Sequence, residues 1–186
     1  MPHIDLHSDE PGLLGLLRFR PETGRLLSEL AEVLLRGPSA LTAGERELIA
    51  AHVSALNGCH FCSSAHGACA AIQLPEGMAL VDQVRADASS APVTPKLRAL
   101  LAIASAVQHG GHNVSVAHVT EARLAGATDL EIHDTVLIAA AFCMYNRYVD
   151  GLDTIAPEDP AFYAVGAQLL VTFGYLAMSP PPGPGT

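Results

Sequence analysis

Helix punctuation restricts this chain more than any single motif does. Thr42-Ala-Gly-Glu45 and Thr128-Asp-Leu-Glu131 are both capping boxes, in which the threonine hydroxyl and the glutamate carboxylate satisfy free backbone N–H groups at a helix start. Thr94-Pro95 places a capping residue before a proline at the first helical position. Asn57-Gly58 supplies a residue tolerant of positive φ where a helix must stop. Between these marks, apolar residues recur at helical spacing and no alternating strand pattern competes. The chain is expected to be all-α.

The periodicity predicts helices over about 22–36, from Ala43 to about Leu56, from Cys59 to about Ile72, over 78–88 (weakly), from Thr94 to about Gln108, over 113–125, from Thr128 to about Leu152, and over 160–177. Residues 1–20, rich in Pro and Gly, read as an irregular arm packed on the body. In residues 22–36, Leu26, Leu27, Leu30, Val33 and Leu34 share helical spacing. The last residues, 179–186 (SPPPGPGT), read as a disordered tail. The expected organisation is one domain over 1–178. At 49% hydrophobic but 5% aromatic, with no Trp, its core must be close-packed Ala, Leu and Val.

Shifted by 52 residues, the chain partly overlays itself. Thr42 falls on Thr94, Arg46 on Arg98, Gly58 on Gly110, His60 on His112, Ser63 on Ser115 and His66 on His118, among nine identities in the 25 positions 42–66. This suggests a helix–turn–helix unit used twice, over about 42–88 and 94–140. The copies differ where chemistry would sit. Glu47 becomes Ala99, Cys59 becomes Gly111 and Cys62 becomes Val114. The first copy would then be reactive and the second a scaffold, with His112 and His118 as turn or packing residues.

Cys59, Cys62 and His66 stand at i, i+3 and i+7, one face of a helix. A nearby imidazole and a helix N-terminus both lower a thiol pKa, and the thiolate is the nucleophile. By the dipole alone, Cys59 at the helix start would be the more acidic thiol. Glu47, on the preceding helix, would approach if the two helices fold back antiparallel across Asn57-Gly58. A carboxylate there can orient His66 or exchange a proton through it. A dithiol so placed suits peroxide reduction through a sulfenic acid and a disulfide. The alternatives are zinc held by Cys59, Cys62, His66 and His60 or His52, weakened by the lack of a second Cys-x-x-Cys, and a non-enzymatic redox sensor.

A net charge of −9 argues against nucleic-acid partners and anionic membrane surfaces. The start, MPHIDLHSDEPG, lacks the character of a signal peptide, and the longest apolar run, Thr135 to Tyr145, is too short to span a bilayer. The expected location is the cytoplasm, where four cysteines are better read as catalytic or buried than as structural disulfides.

The motif Glu47, eleven residues, Cys59-His60-Phe61-Cys62, three residues, His66 resembles the signature of the AhpD-like alkylhydroperoxidases of the carboxymuconolactone decarboxylase superfamily. The flanks ERELIAAHVSALNGCHFC and FCMYNRYVDGLD look closest to its peroxidase-related branch, and the resemblance spans roughly residues 10–175. It implies an all-α fold, a homo-oligomer (dimer, trimer or hexamer) and reduction of hydroperoxides without cofactor or metal, at the expense of an external dithiol reductant of protein or lipoyl type. Carried over, Cys62 is the peroxidatic thiol, Cys59 resolves it, His66 and Glu47 relay protons, and His60 joins the relay. The alternative that the resemblance leaves is a carboxymuconolactone decarboxylase-like enzyme acting on small lactone acids with the thiols incidental; decarboxylase members lack the cysteine pair, which argues against it.

Cys69 and Cys143 read as small buried hydrophobes, and His52, five residues after Glu47, as structural or surface. Tyr145-Asn-Arg-Tyr-Val-Asp150 is polar directly after a very apolar helix. Asn146, Arg147 and Asp150 there read as either a buried polar network at a subunit interface or part of the substrate pocket, interface or structure being favoured, with Arg147 and Asp150 spaced for an intrahelical pair.

Overall fold

The structure is a computed structural model that describes residues 1–178, all of them helix, turn or loop. The expected tail, 179–186, lies outside the described residues. In chain order the helices are α1 (Leu13–Phe19), α2 (Pro21–Arg36), α3 (Ala43–Leu56), α4 (His60–Gln73), α5 (Gly77–Asp87), α6 (Pro95–His109), α7 (Val116–Leu124), α8 (Asp129–Gly151) and α9 (Pro160–Phe173). Short 3₁₀ turns lie at Gly111–Asn113 and Leu176–Met178.

The sequence punctuation operates as hydrogen bonds. The Thr42 hydroxyl accepts from Glu45 N, Thr94 from Leu97 N and Thr128 from Glu131 N, and both capping boxes are complete. Each such cap is worth about 1 kcal/mol. At the other end of α3, Gly58 adopts φ 73°, where a side chain is disfavoured. Its N–H binds Ala55 O and the next N–H, of Cys59, binds Ser54 O, the two bonds that together close a Schellman turn. That turn reverses the chain, so α3 and α4 pack side by side as the most extensive helix pair in the fold.

Four expectations shift. The N-terminal arm contains a helix, α1. Cys59 is not the first helical residue but the extended residue at the cap position before α4. The segment expected as a helix over 113–125 opens with the 3₁₀ turn, so α7 begins at Val116, where Ser115 and His118 form its capping box. The last helix ends at Phe173, because Gly174 at φ 83° breaks it.

The main core joins α2, α3, α6 and α8 through Leu35, Leu48, Ile49, Val53, Leu100, Leu101, Ile103, Ile138 and Phe142, none more than 1% exposed. Each such side chain contributes about 1.5–3 kcal/mol by burial. On α2 the buried face is Gly24, Ser28, Ala31, Leu34 and Leu35, while Leu26 and Val33 point outward at 57% and 69% exposure. The small residues let α2 lie close to its neighbours: a Cβ on Gly24 would stand 2.1 Å from Leu17 O. A second apolar cluster, of Leu16, Cys59, Phe61, Cys62, Cys69, Val149, Tyr163 and Ala167, fills the space between α4, α8 and α9. No helix among the described residues is long and apolar enough to cross a membrane.

Candidate active site

Glu47 on α3 is 2% exposed, a burial that a carboxylate tolerates only with partners. The α3–α4 pairing supplies the first. His66 Nδ1 lies 2.7 Å from Glu47 Oε2, with both side chains largely enclosed. The Phe142 ring meets the imidazole edge-on at 4.5 Å and fixes its plane. Burial alone would disfavour the imidazolium. The charge and hydrogen bond of Glu47, with the nearby Cys62, outweigh it and raise the His66 pKa above its ordinary value.

Sequence reasoning missed the second partner. The Tyr175 hydroxyl donates to Glu47 Oε1 at 2.6 Å, lies 3.3 Å from His66 Nδ1, and its ring stacks on the imidazole at 6.1 Å. Gly174 makes this possible by ending α9 and turning the chain back. Tyr175 N then donates to Glu32 Oε2 at 2.7 Å, and Arg36 Nη1 donates to Leu170 O and Val171 O at 3.1 and 2.9 Å. The available signal was the glycine inside the expected helix, followed directly by a tyrosine.

Cys59 and Cys62 are 0% and 3% exposed and are free thiols. Hydrogen bonding with the Cys59 thiol, then the charge of His66 and the Asn146 amide, outweigh burial and lower the Cys62 pKa. The same pairing and the same burial raise Cys59. The ordering is the reverse of the one the helix dipole suggested. Cys59 lies before the helix as a donor, and Cys62 in its first turn collects the stabilising contacts.

His60 is not part of this hydrogen-bonded group: it is exposed, with Nε2 3.2 Å from Pro157 O and its ring edge-on to Tyr163. His52 is buried on another side of α3, 2.7 Å from Ser105 Oγ, and burial lowers its pKa to about 4. Cys69 is fully buried behind Tyr175, and burial raises its pKa. Cys143 is half-buried near Asn57 Nδ2 at 3.7 Å.

The polar run on α8 resolves into separate roles. Asn146, 1% exposed, donates to Ser54 Oγ at 3.0 Å and accepts from Asn57 Nδ2 at 2.7 Å, tying α8 to the end of α3 just before the thiols. The expected Arg147–Asp150 ion pair does not occur among the described residues. Arg147 donates to Cys143 O instead, and both Arg147 and Asp150 are exposed.

An apolar cavity of about 100 Å³ reaches the imidazole from the α1–α2–α9 side. Leu13, Leu17, Leu27, Phe162 and Leu170 are among its walls, His66 and Tyr175 line it, and its described lining holds no Lys or Arg. Among the described residues, no group of three or more His, Cys, Asp or Glu is placed to hold a metal ion.

Comparison with known proteins finds relatives of the same fold. The model of the carboxymuconolactone decarboxylase family matches residues 21–72 and 75–155. Among solved structures, a peroxidase-related protein from Silicibacter sp. TM1040 shares 27% identity at a TM-score of 0.74, over 83% of this chain and 78% of that one. An alkylhydroperoxidase AhpD core protein from Ralstonia eutropha JMP134, also described as peroxidase-related, shares 30% identity at a TM-score of 0.73, over 84% and 81%. No curated protein sequence matches.

Proposed function

The chain belongs to the carboxymuconolactone decarboxylase family, and on that premise we propose that it is a thiol-dependent hydroperoxidase. The observation that carries this reading is the placement of Cys62: buried, lowered in pKa, three residues from a second buried thiol and one helical turn before an imidazole held by a carboxylate.

The chemistry follows from those positions. The Cys62 thiolate attacks the distal oxygen of a hydroperoxide, the O–O bond breaks, and the departing alkoxide takes a proton from the His66 imidazolium. Cys62 becomes a sulfenic acid. Cys59 then displaces water from it to form the Cys59–Cys62 disulfide. An external dithiol, protein-borne or lipoyl-like, returns two electrons and two protons by thiol–disulfide exchange. Glu47 and Tyr175 act behind His66. Glu47 holds Nδ1, leaving Nε2 to exchange the proton, and Tyr175 holds Glu47.

The cavity walls, chiefly Leu, Ala and Phe side chains, suit the hydrocarbon part of an organic peroxide. Exposed apolar side chains on α9, including Val165, Leu169 and Phe173, support self-association into a homo-oligomer.

The test is consumption of cumene hydroperoxide with dihydrolipoamide as reductant. Turnover that disappears in Cys62→Ser supports the reading. Normal turnover in that variant, or none in the unaltered chain with any organic peroxide, sinks it.

A further inference from the structure

Four buried side-chain atoms have no hydrogen-bond partner among the described residues: Glu10 Oε2, Ser28 Oγ, Arg46 Nε and Arg85 Nε. Three of those side chains are held through another atom. Glu10 pairs with Arg18, Arg46 donates to Leu34 O, and Arg85 donates to Ser63 O. Ser28 has no second polar atom in its side chain, so its hydroxyl is wholly unpaired in a residue only 4% exposed. An unpaired hydroxyl in an apolar interior is destabilising. A helical serine ordinarily relieves this by bonding the carbonyl four residues back, as Ser105 does with Leu101 O at 2.9 Å. Ser28 makes no such bond.

Its place in the fold supplies a use. Ser28 stands on α2 in the wall of the apolar cavity, in one lining with Leu13, Leu17, Leu27, His66 and Tyr175. The phenols of that wall are engaged, Tyr175 with Glu47 and Tyr163 with Pro157 O. The imidazole is held by Glu47 through Nδ1, which leaves its Nε2 side and the Ser28 hydroxyl for an oxygen-bearing molecule. At about 100 Å³ the cavity has room for one small organic molecule.

We infer that the Ser28 hydroxyl is the hydrogen-bond partner of the oxygen that an organic hydroperoxide keeps when it is reduced to its alcohol, with the hydrocarbon part against the leucines of α1 and α2. The choice of ligand rests on the peroxidase reading; the site rests on the unpaired hydroxyl and the cavity. Ser28 is then a binding residue kept at a cost to the stability of the free chain. Alanine would pack as closely on α2 and favour the helix more, but it cannot distinguish an oxygenated molecule from a hydrocarbon of the same shape. A bare hydrocarbon leaves the hydroxyl unmet, which is how a buried polar group selects.

The experiment is a ligand-observed NMR titration with two molecules of one shape. One is 2-phenyl-2-propanol, the alcohol formed from cumene hydroperoxide, and the other is tert-butylbenzene, in which a methyl replaces the hydroxyl. Ser28→Ala should weaken the alcohol by roughly fivefold, the scale of one net hydrogen bond, and leave tert-butylbenzene within about twofold. The same variant should unfold at a higher denaturant concentration than the unaltered chain, because it loses an unpaired hydroxyl. Gly166 lines the cavity and a Cβ there meets nothing within 4 Å, so Gly166→Leu should fill the space and weaken both ligands. With dihydrolipoamide as reductant, Ser28→Ala should raise KM for cumene hydroperoxide by the factor it takes from the alcohol. No binding of the alcohol by the unaltered chain overturns the assignment, as does equal binding of it by Ser28→Ala. Equal weakening of both ligands in Ser28→Ala, or a loss of stability, also overturns it and marks Ser28 as a packing residue. Binding of both ligands untouched by Gly166→Leu overturns it by placing them elsewhere. No turnover of cumene hydroperoxide by the unaltered chain, with the alcohol result intact, instead overturns the peroxidase reading and leaves Ser28 as the anchor of an aryl alcohol.

Discussion

The Tyr175 hydroxyl donates to Glu47 Oε1 at 2.6 Å across 128 residues of sequence, while the other oxygen of the same carboxylate holds His66 Nδ1 at 2.7 Å. A buried carboxylate thus has a donor on each oxygen, and the His66 imidazole is held from behind.

Tyr175→Phe removes one of those donors and leaves Oε1 unpaired in an enclosed site. The expected cost is about 1–3 kcal/mol of stability, read by chemical denaturation. Peroxide turnover should fall by roughly tenfold, less than the 10²–10⁴ expected for loss of the proton-transferring group itself. Unchanged turnover would remove Tyr175 from the relay.

Gly174→Ala reaches the same contact through the backbone. At φ 83° an alanine is strained by roughly 1–2 kcal/mol, and its Cβ would stand 2.6 Å from Glu32 Oε2, the acceptor that holds Tyr175 N. The variant should lose stability and show the Tyr175→Phe kinetic defect. Loss of stability with full turnover would show that the Tyr175 strap does not matter to the chemistry.

The two thiols should separate chemically. Iodoacetamide at pH 7, mapped by mass, should modify Cys62 before Cys59 or Cys69, because Cys62 is lowered in pKa and the other two are raised. Cys59→Ser should complete one round of peroxide reduction and stop with Cys62 as a trappable sulfenic acid. Initial labelling at Cys59 would exchange the two roles.

The pH response follows from His66. Its folded pKa is raised above the ordinary 6.5, so the folded state holds a proton that the unfolded chain releases. The stability this adds is complete below about pH 6.5 and is lost as pH climbs through the raised value. His66→Asn should erase that slope in denaturation midpoints. It should also remove the positive charge that favours the Cys62 thiolate, moving the thiolate absorbance at 240 nm and the acid limb of the peroxide rate to higher pH. An unmoved Cys62 titration would refute the coupling.

Much of this site could be read in the sequence because its signals are short-range. Caps at Thr42, Thr94 and Thr128 set helix starts through bonds spanning three residues, and Gly58 set the reversal. Once two helices pair across that turn, the spacing of Glu47, Cys62 and His66 dictates the Glu47–His66 contact. The tertiary structure alone decided what converges from afar. Tyr175 enters because α9 stops at Gly174 and its carbonyls are gripped by Arg36 on α2. Asn146 meets Ser54 and Asn57 because α8 lies across the end of α3. The outward turn of Leu26 and Val33 depends on how closely Gly24 lets α1 and α2 approach. Helix periodicity names the faces of each rod, but crossing angles and close approaches between distant rods are fixed only when all the side chains pack together. The thiol pair was therefore legible as a local pattern, and its surroundings were settled by packing.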